Sequence, residues 1–249
     1  MSTTLVVQSS FRRVPDWVAR CLSSVRSWAT ECAYDYEHLG DELLDLAPGW
    51  VHDAAGDSLL PVTDVARLEL LRRRLADGWS RVVWLDADVC VFAPSLVDVD
   101  IDADVAVCVE RWVTGAPGGG LQAAACVNNA ALSARSVDAL LDATLARVRA
   151  GGVRGRSLGP DLLTPLHRAS PFGEIVGVSV ASPHVVRDVL GAWSLLVDSL
   201  PWPVGALNLC WSMAHHHDVL DRFVDRLLSG ASPRTEPRPA PPRSAPTSG

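Results

Sequence analysis

The stretch of sequence that decides the fold is Val82-Val83-Trp84-Leu85-Asp86-Ala87-Asp88-Val89-Cys90-Val91-Phe92. It opens on an apolar run that predicts a buried strand, and two carboxylates one residue apart follow that run. Residues i and i+2 of an extended segment point to the same side, so Asp86 and Asp88 would converge on one hard divalent cation if the strand ends there. Mn²⁺ and Mg²⁺ prefer such oxygen ligands. A surface acidic turn between two strands would give the same sequence, so the motif alone leaves both interpretations open.

Strand and helix patterns alternate on both sides of this segment. The predicted strands are Leu5–Gln8, the Val82 segment, Asp104–Val109, Ala124–Ser133 and Ile175–Val180. The predicted helices are Pro15–Cys32, Gly40–Leu46, Asp64–Ala76 with Thr63 as its N-cap, Arg135–Arg149, Val185–Asp198 and Asp218–Leu228. A glycine-rich loop is expected at Thr114–Gly120. This alternation predicts the α/β class, with helices packed on the faces of a sheet.

Length, composition and charge restrict the possible functions. The 249 residues suit one α/β domain, and the net charge of -7 argues against nucleic acid as a partner. All 22 basic residues are arginine, which excludes chemistry that needs a lysine. We expect no membrane span and no secretory signal. The six cysteines form no C-x-x-C pair, which favours buried reduced thiols in a cytoplasmic protein. Residues 231–249 are rich in proline and predict a disordered tail after a domain of residues 1–230.

Two further polar pairs are candidates for binding a ligand. Asp64 and Arg67 are three residues apart on a predicted helix and therefore share a face, where they would bind the base and ribose of a nucleotide or simply pair with each other. Asp64 would also suit the positive end of the helix dipole. Asn128 and Asn129 offer amide groups suited to sugar hydroxyls, although the same pair is typical of a tight turn.

The order and spacing of these motifs resemble a known family. Asp64-x-x-Arg67, the Asp86-x-Asp88 segment, Asn128-Asn129 and Gly159-Pro160-Asp161-Leu162-Leu163-Thr164 look like glycosyltransferases of the A type, in particular the D-x-D-containing sugar-binding-region family. The resemblance implies a single Rossmann-like nucleotide-diphospho-sugar transferase domain with a mixed central sheet flanked by helices. It also implies a metal-dependent, hexosyltransferase-like enzyme that acts with retention of configuration.

The same resemblance implies a role for each motif. Asp64 and Arg67 would hold the donor nucleotide, Asp86 would contact the ribose or the metal, and Asp88 would ligate Mn²⁺ or Mg²⁺ at the donor diphosphate. Asn128 and Asn129 would approach the donor sugar, with Asn129 counted among the catalytic residues. Asp161 is a candidate acid or hydrogen-bond partner, or else an ordinary first-turn helix residue. The partners would be a nucleotide-diphospho-sugar and a glycan, lipid or small-molecule acceptor.

The resemblance also implies a third metal ligand near the C-terminal end, in the segment Leu207-Asn208-Leu209-Cys210-Trp211-Ser212-Met213-Ala214-His215-His216-His217. Neighbouring residues of a regular helix or strand point apart, so the three adjacent histidines cannot all face one ion. The candidates are His215, which we take as the ligand, and Asn208. Solvated histidines at a helix end are the alternative.

Two other functions remain open at the sequence level. The segment Leu85–Val91 also matches the haloacid dehalogenase phosphatases, in which Asp86 would be the nucleophile and Asp88 the acid. The late position of this segment, the absence of lysine and the absence of a late acidic pair argue against that interpretation. A non-catalytic nucleotide-sugar-binding protein is the other alternative, although intact Asp86 and Asp88 favour an active enzyme.

Overall fold

The computed structural model describes residues 3–11, 13–191, 203–210 and 216–229. The strands are β1 Thr4–Ser9, β2 Asp35–Leu39, β3 Arg81–Leu85, β4 Val89–Val91, β5 Val105–Gly115, β6 Leu121–Ala134, β7 Gly173–Glu174, β8 Gly177–Val180 and β9 Val204–Asn208. The helices are α1 Asp16–Glu31, α2 Gly49–Ala55, α3 Leu59–Ala76, α4 Asp138–Arg149, α5 Pro160–Ala169, α6 Pro183–Gly191 and α7 His217–Leu228. Short 3-10 helices cover Asp41–Leu46, Pro94–Leu96 and Gly155–Leu158.

The main sheet has six strands in the order β2-β1-β3-β6-β5-β7 and is mixed. Strand β1 runs parallel to β2 and to β3, whereas β6 is antiparallel to both β3 and β5. A smaller sheet has the order β4-β9-β8. The chain passes from β3 in the main sheet to β4 in the smaller sheet within three residues, Asp86 to Asp88. The two sheets therefore meet at the acidic motif.

Helices cover both faces of the main sheet because its central strands are apolar on both sides. Val82 and Trp84 of β3 belong to the same buried cluster as residues of α3 and α4, while Val83 and Leu85 pack in another cluster with Val25 of α1. Successive strand residues point to opposite faces, so a continuous apolar run such as that of β3 must be covered twice. Trp84 thus faces α3, the helix that carries Asp64 and Arg67.

The predicted α/β class and mixed sheet are confirmed, but several boundaries are wrong. Helix α3 begins at Leu59, and Thr63 lies inside it, where its hydroxyl donates to the Leu59 backbone oxygen instead of capping the helix. The predicted glycine-rich loop is the tip of a long hairpin formed by β5 and β6. Strands β2, β4 and β9 and helix α2 were not predicted as separate elements.

Two of the predicted segments fall outside the described residues. They are the end of the Val185–Asp198 helix, beyond Gly191, and the tail of residues 231–249. Within the part of the chain that is described, no helix is both long enough and apolar enough to cross a membrane.

Candidate functional site

The acidic pair lies on a tight turn at the carboxyl end of β3. The Asp86 amide donates to the Ala130 backbone oxygen of β6 (2.8 Å), and the Val89 amide closes the turn on the Asp86 oxygen (3.1 Å). The acidic pair therefore lies on a turn between β3 and β4 and not on an extended strand, so the alternation on which the sequence prediction relied does not apply to Asp86 and Asp88. Asp86 is partly exposed, but Asp88 is only 8% exposed, so this is not an ordinary solvated surface turn.

Arg67 connects the turn to helix α3. Its Nη1 lies 3.0 Å from Asp86 Oδ1 and donates to the Asn129 backbone oxygen at 2.6 Å, while its Nη2 lies 3.3 Å from Asp64 Oδ1. The guanidinium carbon is 5.0 Å from the centre of the Trp84 ring, and the Trp84 indole also donates to Asp86 Oδ1 (2.7 Å). The predicted helix face shared by Asp64 and Arg67 is thus observed, with both residues buried. These contacts fix the Asp86 carboxylate from two sides.

Burial controls the ionisation of Asp64. Desolvation raises the pKa of its carboxyl to about 6, against the opposing effects of the Arg67 charge and of a hydrogen bond from the Asn129 amide. That hydrogen bond joins Asn129 Nδ2 to Asp64 Oδ1 at 2.8 Å. Asp64, Arg67, Asp86 and Asn129 consequently form one connected polar network beneath the acidic turn.

A bulge in β6 presents the asparagine pair. Val107 of β5 pairs with Leu132, but the next residue, Cys108, pairs with Asn128, so residues 129–131 of β6 have no partner on β5. Bulges of this kind re-aim side chains and are frequent beside active sites. Here the bulge turns the Asn129 side chain towards Asp64 and leaves the neighbouring Asn128 to face β5.

The Gly159–Thr164 motif packs against the same part of β6. Gly159 is the N-cap of α5, and a Cβ atom at Gly159 would lie 3.0 Å from Asn129 Oδ1. The Thr164 hydroxyl accepts a hydrogen bond from the Val127 amide at 3.1 Å. Asp161 stands in the first turn of α5, as expected, with a side chain that is 63% exposed and 4.0 Å from Arg156. All four predicted motifs are therefore neighbours in the fold.

The sequence reasoning missed Glu110, at the boundary between the two sheets. Glu110 is 3% exposed, and its oxygens accept hydrogen bonds from the Asn128 amide (2.7 Å) and the Asn208 amide (2.6 Å). Burial raises the pKa of this carboxyl, although the two amides act in the opposite direction. The sequence feature that could have identified Glu110 is its position directly after the apolar run Val105–Val109. Asp86 follows the apolar residues of β3 in the same way.

Asn208, one of the two candidates for a third ligand, contacts Glu110 and is also buried. It ends β9, pairs with Val89 of β4, and its Oδ1 accepts a hydrogen bond from the Cys210 amide at 3.0 Å. The pKa of the Cys210 thiol is raised first by burial and then by the charges of Glu110, Asp88 and Asp86. His215, the preferred candidate, lies outside the described residues.

The carboxylates around the acidic turn are the possible ligands for a hard cation. Among the described residues, no group of three or more His, Cys, Asp or Glu side chains has the arrangement of a metal site. A Mg²⁺ site needs fewer protein ligands than that, because proteins usually bind Mg²⁺ through one or two carboxylates together with substrate phosphates. Asp86 and Asp88 offer that chemistry. Arg67 Nη1 already lies 3.0 Å from Asp86 Oδ1, so the pair fits a Mg²⁺ site only if substrate phosphates supply the remaining ligands.

Comparisons with known proteins identify the architecture. No protein-family model matches the chain, and no curated protein matches it. Among solved structures, the chain is similar to a glycosyltransferase involved in the glycosylation of the major capsid of PBCV-1, with 11% identity, a TM-score of 0.50, and coverage of 90% of this chain and 98% of the other. Mouse xyloside xylosyltransferase 1 matches at 13% identity and a TM-score of 0.43, with coverage of 86% and 99%. The glycosyltransferase GlyE of Streptococcus pneumoniae matches at 14% identity and a TM-score of 0.38, with coverage of 92% of this chain and 63% of the other.

The first of these matches, together with the mixed sheet, shows that the chain has the A-type glycosyltransferase fold. The match confirms the fold that the sequence resemblance implied. It says nothing about the donor, the acceptor or the metal, which depend on the side chains of this particular protein.

Proposed function

We propose that the protein is a glycosyltransferase that moves a sugar from a nucleotide-diphosphate donor to a glycan, lipid or small-molecule acceptor. The observation behind this proposal is the location of the Asp86–Asp88 turn, at the carboxyl end of β3 and between the two sheets of an A-type fold. Ligands of open α/β sheets bind at the carboxyl ends of the strands. The fold thereby favours a transferase over the phosphatase alternative.

We assign the donor nucleotide to Asp64, Arg67 and Asp86. Because Arg67 already contacts Asp86 at 3.0 Å and the Asn129 backbone at 2.6 Å, its part in donor binding is to hold Asp86 and the β6 bulge in place. Asn128 lies at the edge of that bulge and would turn its amide towards the donor sugar. Asn129 lies in the bulge and donates through Nδ2 to Asp64, so it would meet the sugar through Oδ1. Asp161, which is exposed at the start of α5, would act on the sugar or the acceptor as an acid or hydrogen-bond partner.

Asp86 and Asp88, with His215 as third ligand, would hold Mn²⁺ or Mg²⁺. Such a cation would stabilise the negative charge that develops on the leaving diphosphate. The chain contains no lysine to perform that task, so a cation held by the carboxylate pair would neutralise the diphosphate. We further propose a hexosyl donor and retention of the anomeric configuration.

A thermal-shift screen of nucleoside diphosphates, with and without Mn²⁺, tests the proposal. A ligand present at 100 times its dissociation constant adds about 2.7 kcal/mol to the free energy of unfolding, and the base that does so identifies the donor class. Slow hydrolysis of the matching nucleotide sugar without acceptor then measures turnover. Binding without any turnover would identify a nucleotide-sugar-binding protein instead, and phosphate release from simple phosphomonoesters would favour the phosphatase.

A further inference from the structure

Glu110 joins the two sheets of the protein through hydrogen bonds to one asparagine of each. It lies on β5 of the main sheet, where it accepts a hydrogen bond from Asn128 of β6 at 2.7 Å, and its other oxygen accepts one from Asn208 of the smaller sheet at 2.6 Å. Both contacts are short, and the carboxylate is 3% exposed. Hydrogen bonds to a buried carboxylate are about twice as strong as those between neutral groups. The position of each amide is therefore set by Glu110.

The orientation of each amide follows from the same contacts. Asn128 donates through Nδ2 to Glu110 and accepts through Oδ1 from the Ala130 amide (3.2 Å), so its amide plane has one orientation. Asn208 donates to Glu110 and accepts from the Cys210 amide (3.0 Å). Each Nδ2 carries two hydrogens, and Glu110 takes one of them. Asn128 is partly exposed, and among the described residues no contact uses its second hydrogen, which could therefore bind a sugar hydroxyl.

Asn208 also links Glu110 to the acidic turn. The residue after it, Leu209, donates from its amide to the Asp88 backbone oxygen at 3.0 Å, and Cys210 then adopts a left-handed conformation (φ 53°). A non-glycine residue in that region needs support from its surroundings. The hydrogen bond from the Cys210 amide to Asn208 provides this support, and Glu110 holds Asn208 in the position to give it.

We propose that Glu110 is a positioning residue for sugar transfer, which orients the Asn128 amide towards the donor sugar and holds the turn after β9 against Asp88. This inference rests on the proposed glycosyltransferase function. Both Glu110 oxygens accept hydrogen bonds from asparagine amides, so the part assigned to Glu110 is to position these amides and not to transfer a proton. A core role alone would not require an acid at this position, since a buried carboxylate is costly unless it is fully hydrogen-bonded.

Glu110→Gln is the direct test because the two side chains have the same shape. Glutamine has one acceptor oxygen, and its amide nitrogen would face the donor nitrogen of Asn128 or Asn208, so one of the two hydrogen bonds is lost. We expect kcat for nucleotide-sugar hydrolysis to fall at least about tenfold, which corresponds to about 1.4 kcal/mol in the barrier. The dissociation constant of the nucleoside diphosphate alone should change less than about threefold, which is within about 0.7 kcal/mol.

Glu69→Gln is the matched control. Glu69 is also buried, at 8% exposure, but its carboxylate pairs with Arg72 on its own helix and contacts neither Asn128 nor Asn208. Its variant should leave both kcat and nucleotide affinity unchanged. Asn208→Ala is a second test in case the Glu110 variant folds poorly. It removes the hydrogen bond from Asn208 to Glu110 while retaining the Glu110 carboxylate. It should lower kcat without lowering nucleotide affinity.

A double-mutant cycle with Asn128→Ala separates positioning from a general loss of stability. If Glu110 acts through Asn128, then Glu110→Gln will lower kcat by a smaller factor in the Asn128→Ala background than in the wild type. Independent effects in the cycle would overturn the inference, as would wild-type kcat in both Glu110→Gln and Asn208→Ala. If the wild-type protein itself shows no turnover of any nucleotide sugar, the proposed function fails, and the inference fails with it.

Discussion

Replacing Arg67 with alanine removes the cation that binds Asp64 (3.3 Å), Asp86 (3.0 Å) and the Asn129 backbone oxygen (2.6 Å). The side chain is only 6% exposed, so water cannot replace it at these groups without rearrangement of the network. Removing one partner of a buried ion pair costs about 3 to 5 kcal/mol. For a chain of this size, each kcal/mol lowers the melting temperature by about 2 to 4 °C. We therefore expect a decrease of roughly 6 to 20 °C.

The decrease in stability caused by Arg67→Ala should depend on pH because of Asp64. The folded pKa of Asp64 is raised to about 6, above its value of near 4 in the unfolded chain, so the folded state binds this proton more tightly. The free energy of unfolding then falls as the pH rises from about 4 to about 6, by about 3 kcal/mol for two pKa units. Above pH 6 the ionised Asp64 relies on Arg67. Arg67→Ala should therefore be more harmful at pH 8 than at pH 5, where Asp64 is protonated with or without Arg67.

Urea unfolding followed by far-ultraviolet circular dichroism at the two pH values measures both effects. Arg72→Ala is the control, because Arg72 lies on the same helix but is 49% exposed and pairs only with Glu69 among the described contacts. Glu69 is buried but Arg72 is half exposed, so water can partly replace Arg72, and the loss should stay near the upper end of the range of about 0.2 to 1 kcal/mol for exposed pairs. A loss for Arg67→Ala as small as that of the control would refute the structural role of Arg67. Equal losses at pH 5 and pH 8 would refute the part assigned to Asp64.

Three other predictions concern the acidic turn, the smaller sheet and the C-terminal tail. Asp88→Asn should abolish Mn²⁺-dependent sugar transfer while changing the melting temperature little, since the substitution removes charge and not volume; full transfer by this variant in the presence of a chelator would refute the metal assignment. Gly177→Ala should lower the free energy of unfolding by more than about 2 kcal/mol, because Gly177 has a φ of 82° and a Cβ there would lie 1.9 Å from the Leu96 backbone oxygen. Chemical denaturation checks this, and a near-neutral result would mean that β8 can move away from Leu96. Removal of residues 231–249 should leave melting temperature and activity nearly unchanged, as a proline-rich segment offers no apolar face to pack. A decrease of several degrees in calorimetry would show that the tail packs on the domain.

Local sequence patterns were sufficient for the central elements of the fold. The apolar run before Asp86 predicted β3, and the spacing of apolar residues predicted α1 because one face of a long helix must be buried. Short or exposed elements escaped this reasoning. Strand β2 has only one buried residue, Leu39, so its sequence carries no clear alternation, and it is a strand because it pairs with β1.

The sequence by itself determined the α/β class, the position of the acidic pair after a buried strand, and the shared face of Asp64 and Arg67. Each of these depends on residues within a few positions of one another, where strand and helix periodicity act. Only the tertiary structure decided that Arg67 is buried beneath Asp86, that a bulge in β6 presents the asparagine pair, and that Glu110 joins Asn128 to Asn208. The last contact spans 98 residues of sequence, and such pairings arise from the packing of two sheets, which no local pattern encodes.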